Sequence, residues 1–124
     1  MNKSLSRDVY LLSSIRKQQN NLIEALNHFN CNSNNLAQNK LAFDLCSMYM
    51  SQLGEAAKLL TDATKESFKY LNIKSLVYFR NSINHSYEKI NKVYLQSYIF
   101  NAISKQCREE VNNRIAFCMK NKRA

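Results

Sequence analysis

The chain lacks the residues that most often interrupt helices and shape tight turns. Its 124 residues include no proline and a single glycine, Gly54. Because these two residue types mark the turns of sheet-rich chains, their scarcity favours helices. With 45% hydrophobic and 22% charged residues, the composition is globular. A chain of this length fits one domain, so we expect a single all-α domain over residues 1–124.

Long apolar runs are also missing, since the longest extends over only a few residues. A membrane-spanning helix needs about 20, and residues 1–7 contain no apolar core of the kind found in secretory signals. We therefore predict a cytoplasmic protein with no membrane partner. The cysteines lack the close spacing of zinc and redox motifs, which predicts reduced, mostly buried thiols and no metal or cofactor. These cysteines are Cys31, Cys46, Cys107 and Cys118.

Acidic residues are few, and nine of them face 18 lysines and arginines, a formal net charge of +9. Such a surplus attracts a polyanion such as RNA or an acidic protein partner. Basic residues cluster between Lys65 and Lys74 and again in the C-terminal tail. A solvated surface is the favoured interpretation of both clusters, and charge alone does not distinguish an RNA partner from an acidic protein partner.

Apolar residues recur every three, four or seven positions in four segments, the spacing of a buried helical stripe. The segments run from about Ser6 to Phe29, Leu41 to Leu60, Ile73 to Ser86 and Val93 to Met119. Between them we predict an asparagine-rich loop over residues 30–39, a break at 61–64 and a short amphipathic helix over 65–71. Four long helices with short connections predict an antiparallel four-helix bundle with an extra short helix, paired as a homodimer.

Gly54 falls inside the second predicted helix, where it forms a small-residue patch with Ala56 and Ala57. A glycine within a helix costs about 1 kcal/mol relative to alanine. Its presence therefore indicates that a neighbouring helix backbone needs the space.

The most informative segment is residues 78–87, with the sequence Tyr-Phe-Arg-Asn-Ser-Ile-Asn-His-Ser-Tyr. On a helix that turns 100° per residue, Tyr87 returns to the face of Arg80, whereas His85 points about 140° away from it. His85 can still share a cleft with Arg80 in two ways. Either a second protomer presents its own motif, or the helix loosens after Asn84.

These residue types suit RNA cleavage without a metal. The 2′-hydroxyl must lose a proton as it attacks the phosphate and the 5′-oxygen must gain one, which an imidazole such as His85 performs well. The guanidinium of Arg80 can hold two phosphate oxygens, and Asn81 can orient the phosphate or the imidazole. The structural alternative is that Arg80 forms a surface ion pair, His85 caps a helix end and Tyr87 is a core aromatic residue with a solvated hydroxyl.

Two motifs resemble one protein family. Residues 80–87 resemble the Arg-x4-His-x-Tyr signature of HEPN ribonucleases in its HepT-like form, with the polar Asn81 after the arginine. Residues 52–60 resemble the helix rich in Gly, Glu and Ala that precedes this signature, and residues 8–15 are similar to the family's start. The resemblance implies a helical homodimer that cuts RNA without metal in a cleft between two motifs, with Arg80, Asn81 and His85 as catalytic residues.

The resemblance also implies regulation. HepT-like proteins are toxins of toxin-antitoxin systems, and an MNT-type nucleotidyltransferase antitoxin adenylylates the tyrosine of the signature, here Tyr87. The added phosphates bring negative charge that competes with RNA for Arg80. Two other hypotheses stay open at this point. The chain is either a non-catalytic substrate-binding subunit of a nucleotidyltransferase, or a helical interaction protein whose motif has decayed.

Overall fold

The computed structural model of the protein describes residues 3–121, and these residues form six α-helices and no β-strand. The all-α prediction is therefore confirmed for this part of the chain, and residues 122–124 of the basic tail lie outside it. Two short 3-10 turns occur at Leu36–Gln38 and Tyr87–Lys89. The helices are α1 (Lys3–His28), α2 (Lys40–Lys58), α3 (Asp62–Glu66), α4 (Ile73–Ser86), α5 (Lys92–Ala102) and α6 (Lys105–Asn121).

Asparagines set the starts of three helices. The side-chain oxygens of Asn39, Asn72 and Asn91 each accept a hydrogen bond from the backbone N–H three residues later, at 3.1, 3.1 and 3.0 Å. The hydroxyl of Thr61 does the same for α3 at 3.3 Å. Such caps satisfy N–H groups that have no partner within the helix. Part of the asparagine content thus defines where α2, α4 and α5 begin.

The core lies where α2 packs against α1 and α4, and where α1 packs against α6. Its largest fully buried apolar side chains come from four helices and one 3-10 turn, and they are Leu12, Ile15, Leu22, Leu36, Phe43, Met50, Leu53, Leu95, Ile99 and Val111. The four cysteines are free and all but Cys31 are buried, as predicted. Burial raises the pKa of Cys46 to about 12, so its thiol stays protonated at neutral pH. None of the helices within residues 3–121 is both long and apolar enough to span a membrane.

A fully buried carboxylate, Asp8, joins three helices. It accepts hydrogen bonds from the backbone N–H and hydroxyl of Thr61, at 3.1 and 2.6 Å, and from the hydroxyl of Thr64 at 2.6 Å. Arg114 donates to the Thr64 hydroxyl at 3.1 Å. The network ties α1 to α3 and α6, and each of its polar groups has a partner, as buried polar groups require.

The prediction of one last helix over residues 93–119 is wrong, because the chain breaks at Ile103–Ser104 into α5 and α6. The Ser104 hydroxyl accepts the N–H of Cys107 at 3.3 Å, in the manner of a helix cap. The carbonyls released by the break find side-chain donors, since Gln19 donates to Ala102 at 2.8 Å and Arg108 donates to Ile103 at 2.9 Å.

The predicted short helix is also misplaced. The helix occupies residues 62–66, so it begins inside the expected break at 61–64 and includes only residues 65 and 66 of the predicted helix, whereas residues 67–72 are irregular. The carboxylate of Glu110 on α6 accepts the backbone N–H groups of Lys69, Tyr70 and Leu71 at 2.6, 2.9 and 2.9 Å. Because these N–H groups bond to a distant carboxylate, they do not continue a helical ladder.

Candidate functional site

Helices α2 and α4 approach each other closely at Gly54. A Cβ atom at this position would lie 2.6 Å from the Cβ of Arg80 and 2.7 Å from the carbonyl oxygen of Leu76. The expectation that a neighbouring backbone needs this space is therefore confirmed. The contact places the stem of Arg80 directly against α2.

The guanidinium of Arg80 is held by two polar side chains. Its Nη2 lies 2.6 Å from a carboxylate oxygen of Glu55, and its Nη1 donates to the side-chain oxygen of Asn81 at 2.8 Å. The Nε atom is buried and has no hydrogen-bond partner among residues 3–121. Only 20% of the Arg80 side chain is exposed. The arginine is thus oriented by α2 before any ligand binds.

His85 lies on a different face of α4. Helix α4 includes His85 and ends at Ser86, where a φ of −153° and a ψ of 46° depart from helical values, so the helix loosens just after His85. Lys74, Tyr78, Asn81 and His85 are spaced by four, three and four residues, and all four are exposed, which makes them one solvent-facing stripe. The imidazole makes no hydrogen bond or ion pair with residues 3–121. Within one chain, Arg80 and His85 are therefore not brought together.

Tyr87 follows α4 at the start of a 3-10 turn and is partly buried. Its hydroxyl donates to a carboxylate oxygen of Asp44 at 2.5 Å and lies 3.3 Å from the hydroxyl of Ser47. Burial first, and then the hydrogen bond to Asp44, raise the pKa of Tyr87 to about 12. The Nζ of Lys40 lies 2.7 Å from the Oδ2 of Asp44. The pKa of the Asp44 carboxyl group is lowered mainly by this hydrogen bond and next by the one from Tyr87. The phenol is therefore held neutral and the carboxylate ionised.

A cavity of about 370 Å³ lies beside Tyr87 between α2 and α4. Across it, the Ser51 hydroxyl donates to the side-chain oxygen of Asn84 at 2.7 Å. Asp44, Ser47 and Ser51 were not predicted as site residues. Their spacing of four, three or seven residues along α2 puts them on one face of that helix, and this polar stripe was the available signal.

The structural alternative describes part of this arrangement. Arg80 does form an ion pair, and Tyr87 is partly buried, although Asp44 rather than solvent receives its hydroxyl hydrogen. The third element is not met, because the imidazole of His85 stands in the last turn of α4 without capping a described carbonyl. Of Arg80, His85 and Tyr87, therefore, only His85 makes no hydrogen bond or ion pair within residues 3–121.

No group of three or more His, Cys, Asp and Glu side chains in the described part of the chain is arranged to hold a metal ion. Comparisons with models of protein families, with curated proteins and with solved structures give no match. The resemblance to HEPN ribonucleases therefore stays a prediction based on the motifs themselves.

Proposed function

We propose that the protein is a metal-independent endoribonuclease of the HEPN type, acting in the cytoplasm as the toxin of a toxin-antitoxin system. Its site would form where two copies of the chain, packed as helical bundles, bring Arg80 and Asn81 of one copy near His85 of the other. The observation that carries the proposal is the division of the motif between two faces of α4. One face holds an oriented cation, and the other presents an unpartnered imidazole.

The chemistry follows from these groups. An imidazole removes the proton from the 2′-hydroxyl, whose oxygen then bonds to the neighbouring phosphorus while the bond to the 5′-oxygen breaks. The same imidazole, now protonated, gives that proton to the departing 5′-oxygen. The guanidinium of Arg80 stabilises the charge gathered on the phosphate. The products end in a 2′,3′-cyclic phosphate and a 5′-hydroxyl.

The experiment mixes two inactive variants, Arg80→Ala and His85→Ala, after unfolding and refolding them together. If each site takes its arginine and its histidine from different copies, half of the dimers are mixed and one of their two sites is intact. RNA cleavage in the presence of a chelator should then recover to about a quarter of the wild-type rate.

Each variant alone should cleave at least about 100-fold more slowly than the wild type, because a general acid-base group and a cation that stabilises transition-state charge each contribute about that much or more. His28→Ala, which alters the other exposed histidine, should cleave at the wild-type rate. No recovery on mixing would reject the shared site, and equal cleavage by His85→Ala and wild type would reject the nuclease itself.

A second candidate function is a non-catalytic subunit that presents substrate to a nucleotidyltransferase. One observation favours it, namely that Glu55 and Asn81 already occupy both terminal nitrogens of Arg80 in the single chain. A nuclease must release at least one of these contacts to hold a phosphate. Purified wild-type protein that binds RNA but never cuts it would support this second function.

We also propose that an MNT-type nucleotidyltransferase antitoxin silences the protein by adenylylating Tyr87. The phenolic oxygen would bond to the α-phosphorus of a nucleoside triphosphate, pyrophosphate would leave, and Asp44 is placed to accept the proton. Mass spectrometry after co-expression with the nucleotidyltransferase should find the added nucleotide on wild type and not on Tyr87→Phe. An unmodified Tyr87 in a silenced toxin would exclude this mechanism.

A further inference from the structure

A second cavity, of about 710 Å³, lies away from Tyr87, between the segment 65–74 and helix α5. Its lining contains three lysines and one carboxylate, that of Glu66, so its walls carry a net positive charge. The lysines are Lys65, Lys69 and Lys74. The cavity therefore coincides with the internal basic cluster, which charge alone left unexplained.

Tyrosine rings are exposed beside these cations. Tyr70 is 49% exposed and Tyr94 is 61% exposed, and both line the cavity. The ring of Tyr94 is supported by edge contacts with Phe79 and Tyr98, whose centroids lie 6.4 and 6.0 Å away. The ammonium of Lys69 lies 5.5 Å from the centroid of the Tyr70 ring. Flat aromatic surfaces thus alternate with positive charges.

The backbone of this segment is already anchored. Glu110 occupies three consecutive N–H groups, those of residues 69–71, which would otherwise attract an anion. An anionic ligand must therefore bind through the side chains. The same contact fixes the backbone from which Lys69 and Tyr70 project, so the backbone of residues 69–71 needs no reordering when a ligand binds.

We infer that this cavity binds a segment of single-stranded RNA, with phosphates on Lys69 and Lys74 and bases stacked on Tyr70 and Tyr94. Lysines that follow a backbone and aromatic rings that stack bases are the two elements of single-strand binding. An acidic peptide would use the lysines but would leave the exposed rings without a role.

The cavity also leads toward the motif. Tyr94 lines a further cavity of about 290 Å³ together with Ser82 and Ser86, which flank His85 along α4. A strand that passes Tyr94 therefore reaches the end of α4 that carries the imidazole. The inference deepens the proposed function and rests on it for the identity of the strand as substrate.

Binding is best measured in a His85→Ala background, so that the RNA stays intact. Fluorescence anisotropy with a labelled RNA of about ten nucleotides matches the usual site size. The double variant Lys69→Ala with Lys74→Ala should bind about tenfold more weakly, and the magnitude of the slope of log affinity against log salt should fall by about 1.4, which is about 0.7 for each lost phosphate contact. The matched control, Lys3→Ala with Lys17→Ala, removes two exposed lysines of α1 outside the cavity and should keep both the affinity and the slope.

A second variant isolates stacking. Tyr70→Ala should weaken binding of the RNA by about tenfold, because stacking on one base contributes roughly that factor. It should not change binding of an abasic oligomer of equal length and charge. Tyr10→Ala, at a tyrosine that is 75% exposed on α1, is the matched control and should leave both affinities unchanged.

Circular dichroism of each variant separates lost binding from lost folding. The inference would be overturned if both cavity variants bound RNA as tightly as the parent His85→Ala protein. It would also be overturned if polyglutamate of equal charge displaced the RNA. A wild-type chain that binds RNA through these residues but never cuts it would leave the inference standing while the nuclease fails. The two proposals therefore fail separately.

Discussion

Helix α4 has two faces that differ in almost every physical respect. The face toward α2 is packed so closely that Gly54 has no room for a Cβ atom, and it holds the Arg80 guanidinium on Glu55. The solvent-facing stripe carries Lys74, Tyr78 and His85, and Asn81 on the same stripe reaches back to the Arg80 guanidinium. The packed face fixes the position of the Arg80 guanidinium. On the exposed face, no contact within residues 3–121 fixes the imidazole of His85. A motif on one short helix can therefore be complete in sequence and divided in space.

The variant expected to change the packed face of α4 most is Gly54→Ala. The added methyl gains about 1 kcal/mol of helix propensity, but it meets Arg80 Cβ and a backbone oxygen, neither of which is a flexible side-chain end. Helix α4 must then move away, so we expect a net loss of about 1 to 3 kcal/mol in the free energy of unfolding. Urea denaturation measures it, together with RNA cleavage by the folded fraction.

Gln52→Ala is the control, since Gln52 is exposed on the same helix and its loss should change the free energy of unfolding by less than about 0.5 kcal/mol. A Gly54→Ala variant as stable as the wild type would show that the two helices can separate without cost. The close contact would then not be what positions Arg80.

The limits of α4 were predictable to the residue, whereas the break between α5 and α6 was not. In α4 the apolar spacing and the Asn72 cap lie within a few residues of each other, so local sequence contains both signals. Across the break, Ile99, Ile103 and Cys107 keep a spacing of four, and the regular pattern conceals Ser104. The partner that accommodates the break, Gln19, lies on α1 and is invisible to local patterns.

The candidate site also contains residues that were predictable from the sequence and residues that were not. The residues of the motif and the close approach at Gly54 follow from spacing within single helices. The partners Glu55 and Asp44 do not, because which side chains meet across two helices depends on the rotation of each helix about its axis. Sequence reasoning located the candidate groups but could not assign the carboxylates that contact Arg80 and Tyr87.

A smaller effect on the free energy of unfolding is expected at Tyr87, which follows the end of α4. Tyr87→Phe removes the hydrogen bond to Asp44, which keeps its pairing with Lys40, so we expect a loss of about 1 kcal/mol at neutral pH. The folded-state pKa of Tyr87 is raised from 10.0 to about 12. Its contribution is therefore complete below pH 10 and declines as the pH rises from about 10 to 12. Urea denaturation at several alkaline pH values should show the difference between wild type and variant shrinking over this range.

Tyr10→Phe provides the comparison for this titration, because Tyr10 is largely exposed and its hydroxyl makes no hydrogen bond with residues 3–121. Its stability should follow the wild type at every pH. If the difference between wild type and Tyr87→Phe stayed constant through pH 12, the phenol would not be held neutral by Asp44 and by burial.

The smallest expected effect concerns the ion pair that fixes Arg80. Glu55→Gln keeps the size of the side chain but removes a negative charge 2.6 Å from the guanidinium. The carboxylate competes with any phosphate for Nη2, so its removal should raise RNA affinity by about threefold, within the usual range of exposed ion pairs. Anisotropy measurements in the His85→Ala background provide the comparison.

Two further variants serve as controls for the effect of Glu55→Gln on RNA affinity. Glu24→Gln removes an exposed charge on α1 and reports how much a change in net charge alone contributes. In an Arg80→Ala background, Glu55→Gln should do no more than Glu24→Gln, because the competition needs the arginine. A lower affinity for Glu55→Gln would mean that the carboxylate positions the guanidinium for RNA instead of competing with it. The packed face of α4 would then supply an oriented pair of side chains, and the exposed face alone would determine whether a substrate reaches them.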